Sequence, residues 1–345
     1  MRKFLIVPAI FLFLFACNNE QKSATVKDQS KQEAADPIAM RIDSLSKEIR
    51  KTPMKDTLFF QRSRLYVQIG DFANAVNDLE IAKKLNKEEP QYYLDLAELE
   101  MGQGEGRISL ELLQRAKEKF PENVTVKIKL ARLLMAMEQF KDARTQLVLA
   151  SRIEPRNPEL YLMSSMIFQQ IGEFDKAIED LQKAVMYDPQ YYQGHAMLGY
   201  INAQLGNKLA IDHYENAIRL QPDNPEAVYN LAMFYQENEM YDKALEMYRK
   251  GLEQINPDMQ HFLFNTAYVY ENFKNNPDTA ITLYQKVIDR FPEDYRAFYR
   301  IGLCYEELGR PKEAMAQYDM SLKIYPKFEE AYNALSRLSE ERKGK

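Results

Sequence analysis

The chain has 345 residues, 46% hydrophobic and 28% charged, so it carries enough apolar side chain to fold, and a wholly disordered chain is excluded. Its 46 Lys and Arg residues against 51 Asp and Glu give a net charge of -5, which provides no broad basic surface for nucleic-acid phosphates. Two cysteines and three histidines are too few for a disulfide framework or a zinc cage. The sequence therefore predicts no metal, no cofactor and no nucleic-acid partner.

The first predicted element is a signal segment. Arg2 and Lys3 precede an apolar run over residues 4–15, which is too short to cross a membrane as a helix. The run ends at Ala16 and Cys17, an arrangement that resembles the lipobox of bacterial lipoproteins. The resemblance implies a signal peptide over residues 1–16 and lipidation, including palmitate, at Cys17. The alternative is a simple secretory signal followed by an unrelated cysteine.

A polar segment follows and is predicted to be a flexible tether over residues 17–37. Residues 18–37 contain one valine and no aromatic residue, so this segment cannot bury enough apolar surface to fold. Together with the lipobox resemblance, the tether implies a lipid-anchored protein of the bacterial cell envelope. Asn18 after the cysteine favours the outer membrane, facing the periplasm, over the inner membrane, again by resemblance to lipoprotein sorting.

The rest of the chain is organised by a period of about 34 residues. Small residues recur at this spacing in one series, and alanines, with one serine at Ser109, recur in a second series 11–13 positions later, with turn-forming residues such as Gly70 and Gly172 between them. The spacing predicts units of helix, turn and helix, each ending at a proline. The prolines are Pro121, Pro155, Pro189, Pro222, Pro257, Pro292 and Pro326, and the first small series is Ser63, Ala97, Ala131, Ser165, Gly199, Ala232, Ala267 and Gly302.

This pattern resembles the tetratricopeptide repeat (TPR), counted here from position 1 to 34. The family has a small residue at position 8, a bulky residue at 24 and proline at 32, which correspond to Gly302, Tyr318 and Pro326 in the best-matching unit. The resemblance implies an all-α, right-handed superhelical solenoid of about eight repeats over residues 56–328. Capping helices are expected over residues 38–55 and 329–345, because a stack of repeats exposes apolar surface at each end.

The candidate binding site is the concave face that the TPR resemblance implies. In that family, positions 2, 5, 6, 9, 12 and 13 of each first helix line a groove for peptides. The first three units carry charged residues there, namely Arg64, Asp95, Glu98, Lys129 and Arg132. Units four to eight carry an apolar series, consisting of Leu162, Met166, Tyr200, Tyr229, Met233, Phe264, Tyr268, Tyr299 and Leu303. Exposed aromatic and methionine side chains predict a protein partner, and the alternative is that some of these rings pack between helices.

Three further groove residues resemble part of the carboxylate clamp of some TPR proteins. Asn265, Arg296 and Arg300 occupy clamp-like positions, whereas Tyr229 and Met233 stand where that clamp has lysine and asparagine. Whether Arg296 and Arg300 form a clamp stays open at this point.

No residue pattern indicates an enzyme. The glycines between Gly102 and Gly106 fall in a turn inside a repeat, the histidines lack metal-binding spacing, and Cys304 is expected to be a small buried side chain. The sequence predicts a non-enzymatic, membrane-anchored adaptor or scaffold that binds protein partners to assemble or recruit an envelope complex. Similar TPR lipoproteins serve pilus, secretion and gliding, or cell-wall machinery. The alternative is a glycan-binding surface lipoprotein that uses the groove tyrosines.

Overall fold

The structure is a computed structural model that describes residues 36–343, and over this range it contains α-helices and no strand. The predicted signal segment, Cys17 and most of the tether lie outside the described residues. None of the helices that are described combines the length and the apolar character needed to cross a membrane. The chain divides into two compact units, one ending at Asn86 and the other beginning at Lys87.

The first unit contains three helices, and the second contains seven helix pairs and a final helix. In the first unit, α1 spans Pro37–Lys51, α2 Asp56–Gln68 and α3 Phe72–Leu85. The second unit consists of α4 Pro90–Gly102, α5 Gly106–Lys119, α6 Val124–Ala136, α7 Phe140–Ile153, α8 Pro158–Gln170, α9 Phe174–Tyr187, α10 Tyr192–Gln204, α11 Leu209–Leu220, α12 Pro225–Glu237, α13 Tyr241–Lys250, α14 Gln260–Asn272, α15 Pro277–Arg290, α16 Tyr295–Glu307, α17 Pro311–Ile324 and α18 Glu329–Lys343.

The turn inside each repeat contains one residue with positive φ. Glycine occupies this position in five repeats because it adopts the left-handed conformation without a steric penalty. Glu138, Glu239 and Asn275 occupy the turn in the other three, with φ values of 58°, 61° and 49°. The predicted helix–turn–helix unit is therefore present eight times in the described residues, and the all-α repeat fold is confirmed.

Each repeat is held together where its two helices cross. A small residue of the first helix faces a bulky residue of the second, as Gly302 faces Tyr318 and Gly199 faces Tyr214. A Cβ atom at Gly302 would overlap the ring of Tyr318, so the absence of a side chain there permits the close approach. Both tyrosines are buried, with exposed fractions of 0% and 1%.

The structure shows where the extra residue of the sixth repeat is accommodated. The sequence indicates a longer interval between Pro222 and Pro257, and α13 continues into a π-helical turn over Gly251–Ile255. The amide of Asn256 donates to the carbonyl of Gly251 at 3.0 Å, closing this wider turn. A Cβ at Gly251 would overlap the ring of Phe262, so the glycine lets α14 pack directly against the widened turn.

Three consecutive repeats fasten the turn before their first helix in the same way. The side chain six residues after the repeat proline donates to the carbonyl of that proline: Lys127 to Pro121, and Tyr161 to Pro155 at 2.7 Å. The ring of His195 contacts the carbonyl of Pro189 through Nε2 at 3.2 Å. These residues occupy position 4, where the family commonly has tryptophan, so polar side chains take over its packing position here.

His195 lies beside His213 of α11, with ring centroids 5.8 Å apart, so the structure brings together two histidines that show no shared motif in the sequence. The Nδ1 atoms of both rings are buried and have no hydrogen-bond partner within the described residues. Burial lowers the pKa of both imidazoles. The charge of Arg219 lowers the pKa of His195 further. His195 lowers the pKa of His213, and Asp212 partly offsets this effect. Both rings are therefore held in the neutral form.

We expect this histidine pair to make the second unit less stable in mild acid. The unfolded imidazoles have a pKa of about 6.5, so below that pH the unfolded state binds protons that the folded state resists. The free energy of unfolding should be unaffected above about pH 7.5 and should fall as the pH drops through 6.5. Urea denaturation at several pH values, followed by circular dichroism, measures the slope.

A double variant, His195→Tyr with His213→Leu, provides the control, because Tyr161 already makes the equivalent proline contact in the preceding repeat. Its unfolding free energy should fall less between pH 7 and pH 5 than that of the original chain. Carboxylates that titrate nearby are common to both proteins, so the difference isolates the two histidines. Identical slopes would contradict the assignment.

Candidate functional site

The candidate site lies on the side of the second unit that is built from the first helices of its repeats. Successive first helices from α4 to α12 contact each other, whereas contact between successive second helices is sparser. Closer packing on one side makes that side concave. We call the surface formed by positions 2, 5, 6, 9, 12 and 13 of the first helices α4, α6, α8, α10, α12, α14 and α16 the inner face.

The nine apolar residues of the predicted groove all lie on the inner face and are all partly buried. Several pack against the repeat cores: Tyr229 and Met233 against one cluster, Phe264 against a second, and Tyr299 and Leu303 against a third. Each of these side chains therefore packs between helices with part of its surface, as the alternative predicted, and is exposed with the rest. The inner face thus presents a series of half-exposed side chains rather than fully solvated ones.

Tyr229 lies at the centre of this series and is fixed by α14. Its hydroxyl accepts a hydrogen bond from Nδ2 of Asn265 at 2.9 Å, and its ring meets His261 edge-on at 4.6 Å between centroids. Burial raises the pKa of Tyr229, so the phenol is neutral at physiological pH. Asn265 thus orients a tyrosine of the preceding first helix.

Arg300 is held by a partly buried ion pair. Its guanidinium lies 3.2 Å from Oε1 of Glu271, whose side chain is 7% exposed, and Tyr284 donates to the same carboxylate at 2.7 Å. The guanidinium also lies over the ring of Tyr268, 4.8 Å from its centroid. Burial raises the pKa of Glu271, although Arg300 acts in the opposite direction.

Arg296 is more exposed and also has an acidic partner. It forms two hydrogen bonds of 3.0 Å with Asp294, the residue that caps α16, and lies over the ring of Phe264 at 5.2 Å. Asp294 also accepts from Gln260 at 2.7 Å. Because both arginines have internal acidic partners, a carboxylate clamp here would require those pairs to be exchanged for the ligand.

The charged part of the inner face is also paired internally. Lys129 of α6 reaches Glu98 of α4 at 2.6 Å, and Arg132 of α6 reaches Glu159 of α8 at 2.8 Å. These ion pairs join consecutive first helices and leave little unbalanced charge in repeats two to four. Such exposed pairs contribute modestly to stability.

Sequence reasoning missed a connection between the repeat cores and the inner face. The buried tyrosine of each of the last three repeats donates its hydroxyl to the side chain at position 12 of the same repeat. The pairs are Tyr248 with Gln236, Tyr284 with Glu271, and Tyr318 with Glu306. In the sequence, the only sign of this connection is that each tyrosine follows its partner by 12 or 13 residues.

Two inner-face carboxylates of α12 lack such partners. Glu226 and Glu237 are exposed to solvent, and within the described part of the chain neither forms an ion pair. Partial burial by neighbouring residues nevertheless raises the pKa of both carboxylates. Water reaches them, but they are solvated less well than carboxylates on an open surface.

The described residues contain no group of three or more His, Cys, Asp and Glu side chains that could hold a metal ion. Cys304 is fully buried, as expected, and burial raises the pKa of its thiol to about 12. The thiol is therefore protonated at neutral pH and is a poor nucleophile.

We expect Arg300→Met to destabilise the second unit by about 3 kcal/mol, because it leaves the carboxylate of Glu271 buried without a cation. Adding Glu271→Gln should restore most of this loss, since glutamine can still accept the hydrogen bond of Tyr284. Urea denaturation of the single and double variants measures both effects.

Arg296→Met is the matched control, and it should cost less than about 1 kcal/mol, because Asp294 keeps its bonds to Gln260 and to the backbone of α16. Equal losses for the two arginine variants would show that the Arg300 pair has no special structural role.

Comparison with known proteins agrees with this architecture. Tetratricopeptide repeat models match residues 60–124 and 273–327, 109–167, 158–191 and 213–246, which together cover more than half of the chain. Among solved structures, the C-terminal part of a TPR repeat-containing protein from Cytophaga hutchinsonii superposes with a TM-score of 0.60 at 19% identity, covering 70% of this chain and 99% of that one. This likeness concerns the fold.

Curated relatives include BBSome complex member BBS4 from Bos taurus, 26% identical over 201 residues, or 58% of this chain and 38% of that protein. Tetratricopeptide repeat protein 16 from Homo sapiens is 20% identical over 326 residues, or 86% of this chain and 37% of that protein. The chain thus spans well under two thirds of the length of these relatives. The repeat models, the eight helix pairs and the buried crossing residues together establish that the chain belongs to the tetratricopeptide repeat family.

Proposed function

We propose that this protein is a non-enzymatic scaffold that binds a protein partner on its inner face. The observation that carries the proposal is the series of half-exposed aromatic, methionine and leucine side chains from Leu162 to Leu303, at inner-face positions of consecutive first helices. Side chains that are anchored on one side and open on the other lose little entropy when a partner covers them. TPR folds characteristically serve as protein-interaction scaffolds, and the relative BBS4 carries the name of a complex member.

An extended segment of a partner suits this surface better than a small molecule. The apolar residues are spread over repeats four to eight rather than gathered into one enclosed cavity. The inner face also presents polar groups beside them, so specificity can come from hydrogen bonds and charge while the rings supply contact area.

The glycan-binding alternative is weaker. Sugar stacking needs a broad, free aromatic face, whereas Tyr229 packs against His261 and Phe262, and Tyr299 packs against Tyr318 and Phe328. The face of Tyr268 is covered by Arg300. The chain also contains no tryptophan.

We propose further that the protein is anchored in a bacterial envelope through lipid on Cys17 and holds its repeats away from the membrane on the tether. The arrangement of an apolar run, Ala16 and Cys17 supports this, as does the polar composition of residues 18–37. Outer-membrane attachment facing the periplasm, and a role in assembling or recruiting pilus, secretion and gliding, or cell-wall machinery, remain part of the proposal.

Site-specific photocrosslinking tests the binding surface. In cells that produce this chain, a photoreactive phenylalanine analogue placed at Met233 or Leu303 should yield discrete crosslinked partners, because both positions lie on the inner face. The matched positions Glu246 and Met320 belong to the second helices of the same repeats, α13 and α17, and should yield none. Crosslinks confined to these second-helix positions, or absent from all four, would overturn the proposed surface.

Metabolic labelling with an alkyne analogue of palmitate tests the anchor. The full chain expressed in a bacterium that processes lipoproteins should incorporate the label, and Cys17→Ser should lose it. Cys304→Ser should keep the label, because that thiol is buried and protonated. Label retained by Cys17→Ser would show that the anchor assignment is wrong.

A further inference from the structure

The last repeats show how this chain compensates acidic and aromatic groups on its inner face. Arg300 of α16 binds Glu271 and covers the ring of Tyr268, both on the preceding first helix α14. Arg337 of α18 binds Glu306 of α16 in the same manner, at 2.6 Å. In each case an arginine of one first helix pairs with a carboxylate of the preceding first helix, and Arg300 also covers a ring of that helix.

The carboxylates of α12 stand elsewhere: its position 12 is the uncharged Gln236, whereas Glu226 and Glu237 are at positions 2 and 13 and have no cation in the described part of the chain. The following helix, α14, places His261 and Asn265 against Tyr229, and neither supplies a full positive charge at neutral pH. Burial lowers the pKa of His261, which keeps the imidazole neutral there. Within the described residues no Lys or Arg lies over the ring of Tyr229, and none pairs with Glu226 or Glu237. This helix therefore has the anionic and aromatic groups without the cation.

The preceding first helix, α10, carries a buried hydroxyl without a hydrogen-bond partner in the described part of the chain. Tyr192 is 8% exposed, and its hydroxyl has no hydrogen-bond partner among the described residues. Burial, and to a smaller extent the charge of Glu226, raises the pKa of this phenol. An unsatisfied buried hydroxyl costs free energy.

The two carboxylates lie at opposite ends of one helix face. Glu226 is in the first turn of α12 and Glu237 is its last residue, which puts them about 16 Å apart along the axis. An extended chain covers this distance in about five residues. Tyr229 and Met233 lie between them on the same face.

Resting on the proposed scaffold function, we propose that the inner face at α12 binds a basic, extended segment of the partner protein. Arginine or lysine side chains about five residues apart pair with Glu226 and Glu237, and the apolar residues between them contact Tyr229 and Met233. The partner thereby supplies the cations that Arg300 and Arg337 supply within the last repeats.

The test uses the full chain in neutral detergent and three fluorescein-labelled peptides. The basic peptide is Gly-Ser-Arg-Leu-Tyr-Met-Leu-Arg-Ser-Gly, and the other two replace both arginines by glutamine or by glutamate. Fluorescence anisotropy should show the arginine peptide binding at least about tenfold more tightly than the glutamine peptide, with the glutamate peptide weakest.

Matched variants identify the carboxylates responsible. Glu226→Gln with Glu237→Gln should reduce binding of the arginine peptide to the level of the glutamine peptide. Glu215→Gln with Glu246→Gln removes the same charge from the second helices α11 and α13 and should leave the preference intact. Circular dichroism melting curves of both double variants check that each folds.

Each contrary result overturns a different statement. Equal binding of the arginine and glutamine peptides rejects the basic partner while leaving the scaffold function standing, and equal loss in both double variants shows general attraction to an acidic chain. Absence of binding by all three peptides rejects the inference, and the photocrosslinking result then decides the scaffold function separately.

Discussion

The close crossing of two helices inside each repeat is the constraint on which the other features depend. It requires a small residue on the first helix and a large buried residue on the second, as at Gly302 and Tyr318 or Ala267 and Tyr284. This arrangement fixes the rotation of the first helix about its axis. Since one side of that helix must face the crossing, positions 5, 9 and 12 are turned toward the inner face, whatever side chains they carry.

The same crossing explains why the inner face is chemically connected to the core. A tyrosine buried at the crossing cannot leave its hydroxyl unsatisfied without cost, and the nearest acceptor is the side chain at position 12. Where that side chain is glutamate, as at Glu271 and Glu306, a partly buried negative charge results. An arginine from the next first helix then compensates it. The last repeats thus carry a continuous path from core tyrosine to surface guanidinium.

The repeat fold could be predicted from the sequence, because the crossing imposes the 34-residue spacing of small residues and the turns between repeats contain the prolines. The sequence also placed Tyr229, Phe264 and Tyr268 on the first helices at inner-face positions. It could not predict how far these rings are buried, since that depends on side-chain volumes contributed by neighbouring helices. The partner of Arg300 lies 29 positions away and becomes evident only once the register of α14 and α16 is known. The extra residue of the sixth repeat could have lengthened a loop, and the contact between Gly251 and Phe262 shows why it widened a helix instead.

The carboxylates of α12 differ in register from those that arginines neutralise in the last repeats, because Glu226 and Glu237 are at positions 2 and 13 rather than at position 12. An arginine at position 6 of the next first helix neutralises Glu271, whereas in the repeat before it position 12 is the uncharged Gln236, and the position-6 residue of α14, Asn265, binds the hydroxyl of Tyr229. Glu226 and Glu237 are exposed carboxylates without a cation among the described residues, and partial burial raises the pKa of both. Charges on the inner face are paired in repeats two to four and again at Glu271 and Glu306, but those of α12 are unpaired within the range that the structure describes. This distribution points to α12 as the part of the surface that binds the proposed partner.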